Sequence, residues 1–183
     1  MRSLYRKIAI LIAIFAGFEN PAFATISFGD WSWQILNKRE NSAPAPIDEI
    51  LLPPNGYLKG RLKAVLNLNN QGASREGILL RYTLSAKVYS ITKPEKDKGW
   101  TIPFAVDERR VPILRSGQTL PVVFDVTDPV KDYFKQLALE GWKPAKIKIE
   151  VMIEPRQGEN AALKKTQTFL RVAGDVSSLE KKQ

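Results

Sequence analysis

Cysteine and histidine are both missing from the 183 residues. Without cysteine the chain has no disulfide staples, no thiolate metal sites and no lipid-modified cysteine of the bacterial lipoprotein kind. Without histidine, Ser-His-Asp and Cys-His nucleophile systems are excluded, together with almost every zinc or copper centre. Glycine is scattered among turns, in no GxGxxG or phosphate-loop spacing, and no EF-hand spacing occurs, so neither cofactor nor metal is expected. Carboxylates, Lys, Tyr and Ser remain for catalysis. A glycosidase needs two carboxyls facing across a cleft, and each acid near the turns has a structural reading instead. Asp107 and Glu108 begin a loop, Asp125 is an outward strand residue, and Asp128 caps a helix. Two carboxylates at Asp125 and Asp128 are a weak signal for a calcium loop and leave that alternative open. The expectation is a protein without catalytic residues.

Long apolar runs are scarce as well. The one run of note, IAILIAIFAGF, has eleven residues, follows the basic segment MRSLYRK and precedes Ala22-Phe23-Ala24. At about 1.5 Å per residue, eleven residues fall well short of a hydrocarbon core of roughly 30 Å. The pattern is that of a signal peptide over 1–24 cleaved after Ala24, with retention as an N-terminal anchor as the alternative. A periplasmic or secreted domain is expected, held by its core alone. The formal charge of +9 changes on cleavage, because Arg2, Arg6, Lys7 and Glu19 leave and 25 basic side chains face 18 acidic ones, +7. That balance favours anionic partners such as teichoic or lipid phosphates, acidic glycans or acidic proteins, and export makes nucleic acid an unexpected one. Solubility alone also accommodates +7 in a domain of this size.

Hydrophobic periodicity sets the fold class. Over 37–56 the text is NKRENSAPAPIDEILLPPNG, with prolines at 44, 46, 53 and 54 and no sustained period, which reads as an irregular Pro-rich connection. In YLKGRLKAVLNLNN, Leu58, Leu62, Ala64, Leu66 and Leu68 alternate with Lys59, Arg61, Lys63, Asn67 and Asn69, a half-buried strand. The pattern repeats with Ile78, Leu80, Tyr82, Leu84, Ala86 and Val88 inward, against Arg81, Thr83, Ser85 and Lys87. It repeats again with Ile147, Ile149, Val151 and Ile153 inward, against Lys146, Lys148, Glu150 and Glu154. WTIPFAV places Trp100, Ile102, Phe104 and Val106 on one face with Pro103 opposite, and TLPVVFDV places Leu120, Val122, Phe124 and Val126 inward with Pro121 outward. Proline donates no ladder hydrogen bond, so both should be edge strands or have that N–H side facing solvent. DERRVPILRSGQ between them is expected to hold a short strand and a turn at Ser116-Gly117.

The spacing predicts one short helix over about 129–140, with Asp128 as N-cap, Pro129 at the first helical position, Val130, Tyr133, Phe134 and Leu137 at helical spacing, and Gly141 as the stop. A last strand is expected over about Thr166 to Val172, and a frayed tail over 174–183. The domain spans 25–173. Near its start, FGDWSWQIL gives Ile26 and Phe28 even parity and Trp31, Trp33 and Ile35 odd parity. A one-residue bulge at Gly29-Asp30 would turn all five inward, which makes the two tryptophans core residues. If both instead share an exposed face they form a sugar-stacking platform.

About seven strands with one short helix and no βαβ rhythm predict an all-β, antiparallel sandwich. Two long central strands (Leu58 to Asn69, Ile78 to Ile91), proline-marked edges and a helical crossover into a long apolar strand (Ala145 to Glu154) resemble the immunoglobulin-like and fibronectin type III sandwiches. The N-x-N-N-x-G exit at Asn67 to Gly72 is similar to that of bacterial Ig-like modules. The cysteine pair and intervening tryptophan of antibody domains are absent, so the resemblance implies no antibody-type recognition. In an Ig-like order Lys59, Arg61 and Lys63 form a ladder on one sheet, while Arg81, Lys87, Lys146 and Lys148 gather on the other. Both sets read either as a solvated surface that discourages edge pairing or as a surface for an anionic partner. Arg109, Arg110 and Arg115, beside an edge, are the residues expected at a protein contact, because arginine is enriched at interfaces. The expected function is a non-catalytic exported binding or assembly module of a bacterial cell envelope, as a homo-oligomer or a subunit of a larger assembly. The alternative is a carbohydrate or anionic-polymer binding protein using Trp31, Trp33 or Trp142 with the basic residues.

Overall fold

The computed structural model describes residues 25–36, 43–53, 58–92, 97–155 and 164–174, with the side chains of 97 and 98 excepted. The expected signal peptide and nearly all of the expected tail lie outside these residues. Ten strands form among the described residues: β1 (Ile26–Leu36), β2 (Ala45–Ile47), β3 (Glu49–Leu52), β4 (Arg61–Asn70), β5 (Arg75–Ser90), β6 (Asp97–Trp100), β7 (Ala105–Leu114), β8 (Thr119–Asp125), β9 (Trp142–Ile153) and β10 (Lys164–Gly174), with helix α1 (Thr127–Leu139) between β8 and β9. One sheet has the order β2-β1-β4-β8. In the other the order is β3-β10-β9-β5, and the far edge of β5 pairs first with β7 and then with β6. Every pairing is antiparallel except β3 with β10. The class is all-β with a single helix among the described residues.

The alternation read in the sequence is the alternation of burial. Leu62, Ala64, Leu66 and Leu68 of β4, Ile78, Leu80, Leu84 and Ala86 of β5, and Ile147, Ile149 and Val151 of β9 are all buried in one core with Val122 and Phe124 of β8. Successive residues of a strand point to opposite faces, so burying one face of each sheet selects this period of two. In β1 the register with β4 slips between Phe28, opposite Leu68, and Trp31, opposite Leu66, so Gly29 and Asp30 together face Asn67. This is the expected bulge. Ile26 and Trp33 are buried, and Phe28, Trp31 and Ile35 pack on the core from the same side. A Cβ at Gly29 would lie 2.8 Å from Asn69 Nδ2 and 3.2 Å from the Asn67 carbonyl oxygen, which suits the bulge to glycine. Trp31 reaches across to the second sheet, donating from Nε1 to Thr166 Oγ1 of β10 at 3.1 Å.

Four expectations are corrected. The connection over 37–56 is not wholly irregular, because Ala45–Ile47 pairs with β1 in the first sheet and Glu49–Leu52 with β10 in the second. Together with the separate β6 and β7 they raise the strand number above seven. WTIPFAV is not one strand with four inward residues. β6 ends at Trp100 and β7 begins at Ala105, and Trp100, Ile102 and Val106 are all exposed, Ile102 to 85%. The crossing is fixed by hydrogen bonds from the Thr101 and Phe104 amides to Ala86 and Leu84 carbonyls. Phe104 alone turns in, stacking on Tyr133 of α1 at 4.1 Å. The segment expected to hold a short strand belongs to the ten-residue β7, and the turn at Ser116-Gly117 follows it. Pro121 lies outward on the edge strand β8, as its missing donor requires.

The fourth correction concerns the helix start. Asp128 is not the N-cap; Val126 occupies that position, without a side-chain cap, and the helix runs over Thr127–Leu139. The acid that does the anchoring is Asp125, whose Oδ1 accepts from the Thr127 amide at 3.1 Å and from the Thr127 hydroxyl at 2.6 Å. Val130, Phe134 and Leu137 form the buried stripe, and Gly141, at φ +74, turns the chain from the helix into β9.

Candidate functional site

The outer face of the larger sheet collects the charged partners of the buried rows. Register places Arg171 of β10, Lys146 of β9, Lys87 of β5 and Trp100 of β6 side by side, with Glu49 of β3 at the far end of this row. The next row holds Phe169, Lys148 and Ser85. Here the Trp100 and Phe169 rings meet at 5.5 Å, tilted by 45°, although two strands separate β6 from β10. Neighbouring strands lie about 4.8 Å apart, so the two side chains lean over β5 and β9, and Ser85 beneath them is buried despite its outward position. Lys148 Nζ sits 5.3 Å from the Trp100 ring centre, within cation-π range. Trp100 and Phe169 keep 41% and 46% exposure. Side-chain ion pairs or hydrogen bonds hold neither Lys146 nor Arg171 among the described residues.

Further along the same face the charges are matched. Arg81 donates to Glu108 Oε1 at 2.9 Å and lies 3.7 Å from Glu154, and Lys165 lies 4.0 Å from Glu150. The two carboxylates hold the Arg81 guanidinium above its ordinary pKa, the hydrogen bond to Glu108 foremost. The four basic residues expected on this sheet therefore divide. Lys87, Lys146 and Lys148 come together, whereas Arg81 is six residues from Lys87, about 20 Å along the strand, in a neutralised network.

The other expected residues do not converge. Arg109 faces Leu80 and Arg110 faces Leu79 in the β5–β7 register, so adjacent positions put them on opposite faces of β7. Arg115 follows β7, where its amide donates to Gln118 Oε1 in the turn. Trp33 is buried, Trp31 and Trp142 pack against the core, and no exposed platform includes them. Of the first-sheet ladder, Arg61 and Lys63 lie on β4, Lys63 opposite Asp125 of β8, and Lys59 precedes the strand. The aromatic pair Trp100 and Phe169 was not legible as such, since WTIPFAV mimics an unbroken buried strand and nothing in the sequence reveals that β6 and β10 flank the same two strands.

Three of the four candidate acids have a structural engagement, and the fourth, Asp128, lies exposed in the first turn of α1. Glu108 binds Arg81. Partial burial pushes the Asp125 carboxyl up, but hydrogen bonds from Thr127, with Lys63 and Arg61 nearby, outweigh it and hold the group below its ordinary value. Asp107 lies in β7, not in a loop, and its Oδ2 accepts from the Tyr82 hydroxyl at 3.2 Å. Burial, then the Asp107 charge and this hydrogen bond, push the Tyr82 phenol up from 10.0 to about 12. A raised folded-state pKa stabilises the neutral form, so this contribution is complete below pH 10 and is lost as the pH rises toward 12. Urea midpoints across that interval should fall for the native chain, and the fall should shrink in Tyr82→Phe. Equal slopes in the two proteins would show that Tyr82 is not the responsible group.

No family model and no curated protein matches the sequence. Among solved structures, the chain is similar to a β-D-glucoside glucohydrolase from Trichoderma reesei, at 13% identity over 82% of this chain and 19% of that one, TM-score 0.36. It is also similar to a β-glucosidase involved in saponin metabolism from intestinal bacteria, at 17% identity, 81% and 16% coverage, TM-score 0.34. A third is β-glucosidase 3B from Thermotoga neapolitana, at 11% identity, 81% and 17% coverage, TM-score 0.27. The chain spans less than a fifth of the length of each of these structures.

Proposed function

We propose that the protein is a non-catalytic, exported, immunoglobulin-like binding module of a bacterial cell envelope. The observation that carries the reading is the segregation on the outer face of the larger sheet. Lys87, Lys146, Lys148 and Arg171 surround an exposed Trp-Phe pair in two rows in which Glu49 is the one acid among the described residues, and Lys146 and Arg171 have no ion-pair partner there, while the same face a few residues away is charge-matched. Solubility alone needs dispersed charge, not this division. The engagement of Asp107, Glu108 and Asp125 in structural hydrogen bonds supports a role without acid-base chemistry. Strand order supports the immunoglobulin-like reading, since β1-β4-β8 and β10-β9-β5-β7 can be matched to A-B-E and G-F-C-C′ of that topology. The signal-like N-terminus supports export.

A photo-crosslinking residue at Met152, on the outer face of β9, or at Val123, on the edge strand β8, is the test in cells. Adducts from Met152 that mass spectrometry resolves into a defined envelope component are expected. Recovery of the protein solely as a free monomer from both positions would reject the reading.

A further inference from the structure

We infer that the Trp100–Phe169 end of the larger sheet binds an acidic polysaccharide, a chain of sugar residues carrying carboxylates. This assignment rests on the binding-module reading and names its ligand class. Arg171, Lys146 and Lys87 stand on adjacent strands in one register row that ends at Trp100. Their spacing follows the strand separation of about 4.8 Å, close to one monosaccharide step, so carboxylates of an extended chain can meet Arg171 and Lys146 within a field that Lys87 reinforces. The rings supply what a simple polyanion would not need. Two half-exposed aromatic side chains in contact present apolar surface against which the C–H faces of a sugar stack, with Lys148 fixed beside them to take a carboxylate. Lys146 and Arg171, which have no side-chain partners among the described residues, carry the charge complementarity.

Two other occupants fit less well. Protein interfaces are depleted in lysine at their centres, and three of the four cations here are lysines. Single-stranded nucleic acid also combines phosphates with stacking bases, but the exported module proposed above would not meet it as an ordinary partner.

Calorimetric titration with an oligogalacturonate of defined length tests the assignment. Three comparison ligands separate its components: the same oligosaccharide with methyl-esterified carboxylates, polyglutamate, and single-stranded DNA. The free oligogalacturonate should bind at least tenfold more tightly than each comparison ligand, and more weakly as salt rises. Trp100→Ala and Lys148→Gln should each weaken it about tenfold, the scale of one ring or cation contact of about 1.4 kcal/mol, with unchanged circular dichroism. Lys165→Gln, which removes one positive charge from the matched half of the face, should leave it within twofold. Equal effects of Lys165→Gln and Lys148→Gln, or binding of polyglutamate or DNA as tight as that of the uronate, would overturn the assignment. So would no binding at all. Crosslinks to an envelope protein in the absence of uronate binding would overturn the polysaccharide and leave the binding module standing; free monomer without uronate binding would reject both.

Discussion

Replacing Asn70 by alanine is expected to cost about 3 kcal/mol of folding stability. Asn70 closes β4 at 1% exposure, and its side chain ties together two turns that are far apart in sequence. Nδ2 donates to the carbonyls of Ala73 at 2.8 Å, Leu114 at 3.1 Å and Arg115 at 3.2 Å, two hydrogens shared among three acceptors, while Oδ1 accepts from the Gly72 amide. Its main chain adds two more links to the β7–β8 turn, from the Gly117 amide and to the Gln118 carbonyl. Alanine keeps the main-chain links and orphans the others. The Leu114 carbonyl is the most buried of these, and an unsatisfied buried group costs about 1–3 kcal/mol; water reaching the turns limits the rest. Asn70→Asp should be worse at neutral pH, because a carboxylate offers no donor to three carbonyls. The neighbouring Asn69, whose exposed Oδ1 accepts from Thr119 at 2.8 Å, should cost under about 1 kcal/mol as alanine. Urea denaturation of the three variants decides the matter, and an Asn70→Ala midpoint equal to that of Asn69→Ala would sink it.

The Asn67 to Gly72 stretch shows how far the sequence could be read. Its asparagines and glycine mark a strand exit, but that Asn70 serves a second turn more than forty residues on depends on which strands are neighbours. What was legible follows from burial of one face. Where a strand packs one side only, as in β4, β5 and β9, parity reports burial directly, and the parity change at Gly29-Asp30 announces a bulge before any partner is known. The same reasoning fails at Trp100 to Val106, where alternation continues through a crossing in which the backbone leaves the strand. There parity carries no information about faces. The basic cluster was legible as far as outward positions on β5 and β9, and not in the contribution of Phe169 and Arg171, because register between β9 and β10 is set by the whole core.

Thr127 offers the second large effect. Its buried hydroxyl accepts from the Leu62 amide of β4 at 2.9 Å and donates to Asp125 Oδ1 at 2.6 Å, joining the start of α1 to β4 and to the end of its edge neighbour β8. Thr127→Val preserves shape and removes both bonds. The Leu62 amide is then left without that acceptor in the interior, and Asp125 keeps only the main-chain amide at 3.1 Å; one orphaned buried donor and one charge-assisted bond together amount to about 2–3 kcal/mol. Thr127→Ser retains the hydroxyl and should recover most of it. A merely steric role for Thr127 would reverse this order, since valine fills the site and serine leaves a methyl-sized gap. The acid limb gives an independent reading. Asp125 has a folded-state pKa below its ordinary 3.8, so its contribution is present above that value and is lost as the pH falls through the folded pKa. Losing the hydroxyl raises that folded pKa toward the ordinary one, and the acid-side loss of stability should therefore be smaller in Thr127→Val than in the native chain or in Thr127→Ser. Parallel acid limbs in all three would mean that the Thr127 hydroxyl does not hold Asp125.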